Sequence, residues 1–332
     1  MPRVRDSGRQ ERRARTFRLH RRGGGRVRAL VTGAGGFCGG RLLLRLRAAG
    51  HTVATLGLRP APLLGPGHRV LAGPDDRDGA RQILDEFRPD CLFHLAGTLG
   101  DAPAAAMRAV NVDFAAALLD ALADLGLHAC RAVFFGSAAE YGPVPAEGLP
   151  IREDAPANPR TDYARSKLRQ TELALAAAGR GQAVTVLRPF NVVGPGLKPQ
   201  LALGRFAREI ADIALGRQAP VVETGPLSGS RDFVDADDLA ELALRLALAP
   251  AAAGRVVNVC SGRETPMRAA LDMLLRLSGV AASVREAAPP PGAGHALRSV
   301  GSPALLLALA GPFAFRPLED SLRAMLAFER SR

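Results

Sequence analysis

Tryptophan is absent from this chain of 332 residues, and it contains only two tyrosines and two lysines. No apolar run reaches the roughly 18 residues that a bilayer requires, so no membrane partner is expected although 47% of the residues are hydrophobic. The four cysteines (Cys38, Cys91, Cys130 and Cys260) show no Cys-x-x-Cys spacing, which removes the usual zinc and dithiol patterns. They read as small buried residues of a reducing compartment, and the protein is expected to be cytoplasmic and to hold no metal. The length suits one large domain or two intimately joined ones, with an ample core.

Acidic residues are scarce where basic ones are dense. Residues 1–28 hold eleven Arg against Asp6 and Glu11, which accounts for most of the formal net charge of +12. The basicity therefore belongs to a tail, and such a block stays solvated: residues 1–26 are expected to form a disordered Arg-rich tail. An RNA-binding arm, an Arg-rich transit segment and a start codon assigned too far upstream are the other readings. Lacking aromatic interleaving and an amphipathic period, the tail does not suggest a nucleic-acid partner.

After Gly23-Gly24-Gly25, strand-like runs alternate with amphipathic ones. Strands are expected near residues 28–32, 52–56, 69–71, 91–95, 132–135 and 183–187, with helices over 38–49, 77–87, 104–125 and 163–178. This rhythm predicts an α/β fold of the Rossmann type, a doubly wound parallel sheet. Beyond Arg188 the rhythm changes: helices are expected over 203–215, 237–248, 267–277 and 318–328, strands over 221–223 and 256–260, and a Pro/Gly loop over 287–294. These shifts suggest a dinucleotide-binding domain of residues 27–188 plus 231–262, and a smaller C-terminal α/β substrate domain of 189–230 plus 263–332.

All but Lys167 and Lys198 of the 44 Lys and Arg are Arg. A chain that uses guanidinium almost everywhere has placed an ammonium, a compact and removable charge, in Tyr163-Ala164-Arg165-Ser166-Lys167. At i and i+4 of a helix the two side chains share a face. A phenol beside a positive charge is expected to ionise more easily and to work as a proton donor or acceptor. Gly136-Ser137 follows the fifth strand, at the sheet edge where ligands bind, and Ser137 can orient a carbonyl oxygen there.

Thr32-Gly33-Ala34-Gly35-Gly36-Phe37-Cys38-Gly39 lies between the first strand and the first helix. Glycines at 33, 36 and 39 permit a tight turn, close approach to a pyrophosphate and helix packing on the strand. The acid that usually grips a ribose diol after the second strand is missing, and Gly57, Leu58 and Arg59 stand there instead. Arg59 suits a 2′-phosphate, so NADP(H) is favoured over NAD(H). Asp75 or Asp76 could accept from an adenine amino group. His94, between apolar neighbours, reads as structural.

On these residues, with His94-Leu95-Ala96, Asn111-Val112, Arg188-Pro189-Phe190-Asn191, Gly194-Pro195-Gly196 and Arg231-Asp232-Phe233-Val234, the chain from 27 to about 330 resembles the extended short-chain dehydrogenases/reductases. These form the NAD(P)-dependent nucleotide-sugar epimerase/dehydratase/reductase superfamily. The resemblance implies catalytic roles for Ser137, Tyr163 and Lys167, and a coenzyme held by Gly33, Gly36, Phe37, Gly39, Arg59, Asp75, Leu95, Ala96, Tyr163, Lys167 and Pro189. It also implies a sugar-nucleotide partner met by Asn191, Lys198 and Arg231, and a homodimer. Within the superfamily, residues 188–263 are similar to GDP-4-keto-6-deoxy-D-mannose reductases. The Pro/Gly stretch from Pro289 to His295 departs from their Arg-Pro segment.

A 4,6-dehydratase places acids directly after the Ser, where this chain has Ala138 and Ala139, and Glu140 is one position out of phase. Dehydration is therefore not expected, and the similarity over residues 188–232 makes reduction of a nucleotide-linked 4-keto-hexose the expected reaction. A 4-epimerase needs the same groups, and a dinucleotide-binding sensor without turnover is the alternative of another class.

Overall fold

The computed structural model describes residues 26–98, 102–288 and 298–332. The expected tail therefore lies outside the described residues up to 25, as does most of the expected Pro/Gly loop. Strand β1 (Arg28–Thr32) leads through the glycine turn into helix α1 (Phe37–Ala48), and β2 (Thr52–Gly57) and β3 (His68–Val70) precede α2 (Arg77–Phe87). Next come β4 (Cys91–His94), α3 (Ala104–Arg108) and α4 (Phe114–Asp124), then β5 (Arg131–Phe135), α5 (Asp162–Gly179) and β6 (Val184–Pro189). The remainder runs β7 (Asn191–Val193), α6 (Ala202–Ala214), β8 (Val221–Thr224), β9 (Ser230–Asp235), α7 (Ala236–Leu248), β10 (Val256–Val259) and β11 (Glu264–Pro266). It ends with α8 (Met267–Ser278), β12 (Ser283–Glu286), β13 (Arg298–Ser299), α9 (Ala304–Ala310) and α10 (Leu318–Arg330).

Among the described residues seven strands form one parallel sheet in the order β10-β6-β5-β4-β1-β2-β3. This is the doubly wound sheet anticipated from the strand–helix rhythm. Parallel strands are covered on both faces, which is why Ala29-Leu30-Val31 of β1 and Cys91-Leu92-Phe93 of β4 are consecutive apolar residues rather than alternating ones. One face packs Leu42 and Leu46 of α1 against Leu239, Leu242 and Leu246 of α7. The other packs α2, α4 and α5 through Leu84, Phe114, Leu118 and Ala174. Strand order reverses between β1 and β4, so their carboxyl ends open the crevice in which such sheets bind ligands.

Three helix starts, those of α2, α5 and α7, are fixed by side chains. Asp76 accepts from Gly79 N (2.9 Å) to cap α2, Thr161 accepts from Ala164 N (3.1 Å) to cap α5, and Asp235 accepts from Asp237 N (2.8 Å) to cap α7. The helix expected over 104–125 is present but widens into a π turn at 109–113 that joins α3 to α4. Asn111 is completely buried there.

Past β6 the short strands β7, β9, β11 and β13 were not foreseen. Strand β9 pairs with the other three, and β12 pairs with β8. Val193 of β7, Val222 of β8, Phe233 of β9 and Val284 of β12 pack on α6, α8 and α10 in a separate cluster around Phe206, Ile210, Leu271 and Leu326. The expected boundary at 230/231 falls inside β9, and Leu306 of α9 packs beneath the large sheet, so elements from both sides of that boundary share cores. Asp232 makes the join. Fully buried, it accepts from Ser261 N (2.8 Å) and Oγ (2.6 Å), Gly262 N (2.9 Å) and Gly301 N (3.3 Å). Asp232→Ala would leave the buried Gly301 N and the half-buried Ser261 donors without their acceptor and is expected to cost about 3 kcal/mol in urea unfolding. Asp232→Asn, which keeps one acceptor oxygen, should cost less.

Candidate active site

The glycine turn is shaped by what it touches. Gly33 has φ +68°, and a Cβ there would stand 2.6 Å from the backbone of Leu95 and Ala96 at the end of β4. A Cβ on Gly39 would collide with the Gly33 carbonyl oxygen, and one on Gly36 would come within 3.2 Å of it. Thr32, also buried, ties the two strand ends together, its hydroxyl accepting from Ala96 N at 3.1 Å. No side chain caps the start of α1 at Gly36. The N–H groups of its first turn therefore face the crevice, an arrangement made for an anion. Gly33, Gly36, Gly39, Leu95 and Ala96 thus converge on one cradle that a dinucleotide pyrophosphate fits. Phe37 starts α1 but turns its ring towards Gly194, about 3.6 Å from where a Cβ would sit, and packs with the C-terminal cluster.

The register Thr32↔Leu56 sets the turn after β2 beside this cradle. Arg59 is exposed there, and its guanidinium has no ion pair among the described residues. Asp75 is exposed before α2, whereas Asp76 is committed to its cap and to Ala72 N at 3.0 Å. Of the two acids considered for an adenine contact, Asp75 is the available one.

Across the crevice, Ser137 follows β5 and Tyr163 and Lys167 lie on α5. The Ser137 side chain stands within hydrogen-bonding reach of the Tyr163 phenol. The Lys167 Nζ donates to Phe135 O (2.7 Å) and Gln170 Oε1 (2.9 Å), with the bare Gly97 beside it: a Cβ there would stand 3.3 Å from Nζ. Burial lowers the Lys167 ammonium to about 8, with Glu140 and Cys38 pulling the other way. Burial raises the Tyr163 phenol above its ordinary value, outweighing the Ser137 hydrogen bond, and the Glu140 charge adds to the rise. This corrects the expectation of an easily ionised phenol: desolvation dominates, and Tyr163 arrives protonated.

Asn111 and Glu140 were legible only as letters. Asn111 Nδ2 donates to Thr98 O (3.1 Å) and Ser166 Oγ (2.9 Å), and its Oδ1 accepts from Thr98 N (2.9 Å). It therefore clamps the segment after β4 onto α5. Glu140 points into the core, where Arg188 and Thr171 hold it. The substrate-side residues are more scattered. Asn191 Nδ2 donates to Asp232 O (3.1 Å) and Arg231 Nη1 donates to Ser230 O (2.8 Å), while Pro189, expected on the coenzyme side, ends β6 opposite Val259. Lys198 is exposed in the turn before α6, with no ion pair among the described residues. A cleft of about 230 Å³ lies nearby, lined among others by Phe233, Ser261, Arg263, Phe315 and Arg316.

All four cysteines are free thiols, and burial pushes Cys38 up to about 12. Among the described residues no cluster of His, Cys, Asp and Glu could hold a metal ion, and no helix is long and apolar enough to cross a membrane.

His94 is structural in detail. Its Nδ1 meets Thr32 Oγ1 at 2.9 Å, its Nε2 has no partner, and its ring packs between Phe114 and Phe134. Burial lowers it to about 3, so between that value and about 6.5 the unfolded chain binds a proton that the folded one refuses. Stability should therefore rise with pH across this window, by about 1.4 kcal/mol per unit from this group. Thermal melts at pH 4 to 7 check this, and His94→Leu should flatten the dependence.

Comparison with known proteins matches this geometry. Residues 29–260 fit the model of the NAD dependent epimerase/dehydratase family. The GDP-6-deoxy-D-mannose reductase of Pseudomonas aeruginosa is 35% identical over 312 residues, 92% of this chain and 98% of the relative. The dTDP-6-deoxy-L-talose 4-dehydrogenase (NAD(P)(+)) of Kitasatospora kifunensis is 34% identical over 272 residues, 81% of this chain and 84% of that protein. The RMD protein of Pseudomonas aeruginosa, solved in complex with NADPH, superposes with a TM-score of 0.81 at 32% identity, covering 92% of this chain and 99% of the neighbour. A glycine cradle at the β1/β4 switch point, a Ser-Tyr-Lys cluster facing it and a family match across most of the chain lead to one conclusion: the protein belongs to the NAD-dependent epimerase/dehydratase family.

Proposed function

We propose that the protein reduces the 4-ketone of a nucleotide-linked hexose, of the GDP-4-keto-6-deoxymannose kind, with NADPH as the favoured coenzyme. One observation carries this reading: Ser137, a Tyr163 whose proton is held by burial, and Lys167 stand together across the crevice from a glycine turn shaped for a pyrophosphate. Ala138 and Ala139 offer no proton, and Glu140 is held in the core, so the extra acid–base pair of a dehydration is missing. The similarity to a GDP-6-deoxy-D-mannose reductase supports the same direction.

Gly33, Gly36 and Gly39 would receive the pyrophosphate, Arg59 the 2′-phosphate, Asp75 the adenine, and Leu95, Ala96 and Pro189 the inner half of the coenzyme. When bound, the reduced nicotinamide supplies the hydride for C4. Ser137 donates a hydrogen bond to the C4 oxygen, and Tyr163 gives that oxygen its phenolic proton. Lys167 uses its remaining N–H on the ribose and keeps positive charge behind the phenol. Asn191, Lys198 and Arg231 are assigned to the sugar nucleotide, with Arg263 of the nearby cleft as a further cation for its diphosphate. We assign residues 27–188 plus 231–262 to the coenzyme and 189–230 plus 263–332 to the substrate, in a cytoplasmic homodimer.

Coenzyme oxidation with GDP-4-keto-6-deoxymannose is the direct test, expected to be faster with NADPH than with NADH. Tightly held NAD and sugar interconversion without net coenzyme oxidation would indicate an epimerase instead. Tyr163→Phe should lower kcat about 100-fold or more while leaving coenzyme affinity unchanged. Since the Lys167 cation is held below about 8 and lost above it, reductive turnover should fall as pH rises through that value.

A further inference from the structure

The buried carboxylate of Glu140 has no part in the proton transfer just described, yet it is the most heavily bonded side chain around it. Its Oε1 accepts from Ser137 N at 2.8 Å. Its Oε2 accepts from Thr171 Oγ1 at 3.0 Å, from Arg188 Nε at 2.8 Å and from Arg188 Nη2 at 2.7 Å. Ser137 in turn caps the same short turn, its hydroxyl accepting from Ala139 N at 3.2 Å. One carboxylate thus joins the end of β5, the middle of α5 and the end of β6, the elements that carry Ser137, Lys167 and Pro189. Glu140 is fully buried and Arg188 is 5% exposed, and the guanidinium lies over the Tyr141 ring at 4.6 Å. Gly136 leaves the room: a Cβ there would run into Glu140 Oε1.

We propose that Glu140 is a positioning residue for the reaction, fixing the Ser137 backbone against α5 through its two oxygens and placing a negative charge behind the Tyr163–Lys167 pair. A buried ion pair is weak evidence for stability alone, because matched apolar side chains often do as well. Here three of the carboxylate's partners lie on separate catalytic elements, and one is the backbone of the residue that must orient the ketone. Among the described residues the titratable groups that act on Lys167 or feel it are Cys38 from α1, His94 from β4, and Glu140 after β5 with Arg188 of β6 bound to it, and of these Glu140 is the anion. Its charge favours the protonated forms of both Lys167 and Tyr163, the forms a reductase needs.

The inference rests on the assignment of proton transfer to Ser137, Tyr163 and Lys167. That assignment fails if Tyr163→Phe keeps its turnover; the inference fails separately, as follows. Glu140→Gln keeps the shape and the Oε1 acceptor but removes the charge. In the full chain it should lower kcat about 100-fold, leave the KM for NADPH unchanged, and move the alkaline limb of the pH–rate profile to lower pH. A purely structural carboxylate would lower the melting temperature without moving that limb. Wild-type kcat with an unmoved limb overturns the proposal. Should the uncompensated Arg188 prevent folding, Glu140→Gln with Arg188→Met removes both charges. That variant should bind NADPH in the absence of sugar, and it should show the same reduced kcat and displaced limb. Wild-type values in it, or failure of both variants to bind NADPH, overturn the proposal.

Discussion

The site depends on how closely the turn after β1 is pressed against the end of β4. Gly33 sits where any Cβ would meet the Leu95–Ala96 backbone, and Gly39 sits where any Cβ would meet Gly33 itself. These two contacts aim the first turn of α1 into the crevice and fix its distance from β4. Thr32 locks the arrangement with one hydroxyl that meets both Ala96 N and His94 Nδ1. The buried histidine is therefore part of the scaffold that sets the cradle, and its low proton affinity follows from being walled in by Phe114 and Phe134. The segment that continues past Gly97 is then held by Asn111, which joins it to α5 through Ser166. Cradle and Tyr-Lys helix are in this way referred to the same strand end.

The parts of the fold that follow from local chemistry were legible. Apolar runs such as Ala29-Leu30-Val31, separated by amphipathic helices, can only be strands covered on both faces, and the strand order then locates the crevice. The glycines at 33, 36 and 39 and the Tyr163/Lys167 spacing were legible because each carries its reason within a few residues. The C-terminal strands were not. Strands β7, β11 and β13 are only two or three residues long, β9 carries the polar run Ser230-Arg231-Asp232, and all four exist because β9 finds partners far along the chain. Asp232 illustrates the difficulty: its acceptors are filled by Ser261, Gly262 and Gly301, which no local pattern links to it. The ionisation of Tyr163 was misread for a similar reason. Spacing shows which charge is adjacent, whereas the proton affinity is set by how much of the surrounding volume is protein.

Two buried carboxylates, Glu140 and Asp232, explain why the chemistry available here is narrow. Glu140 follows the carboxyl end of β5 and Asp232 lies within β9, and the oxygens of both are taken up: those of Glu140 by Ser137 N, Thr171 and Arg188, those of Asp232 by Ser261, Gly262 N and Gly301 N. Asp232 binds the loop that leads from β10 to β11, and Glu140 binds the turn that leads from β5 towards α5. Neither oxygen pair has a face left for a substrate. A protonated phenol, a serine hydroxyl and an ammonium remain, which can deliver one proton and hold one oxygen. That inventory balances a hydride added to a ketone. It does not balance removal of a C5 proton together with departure of a C6 hydroxyl, which would require a second acid–base pair on the far side of the sugar.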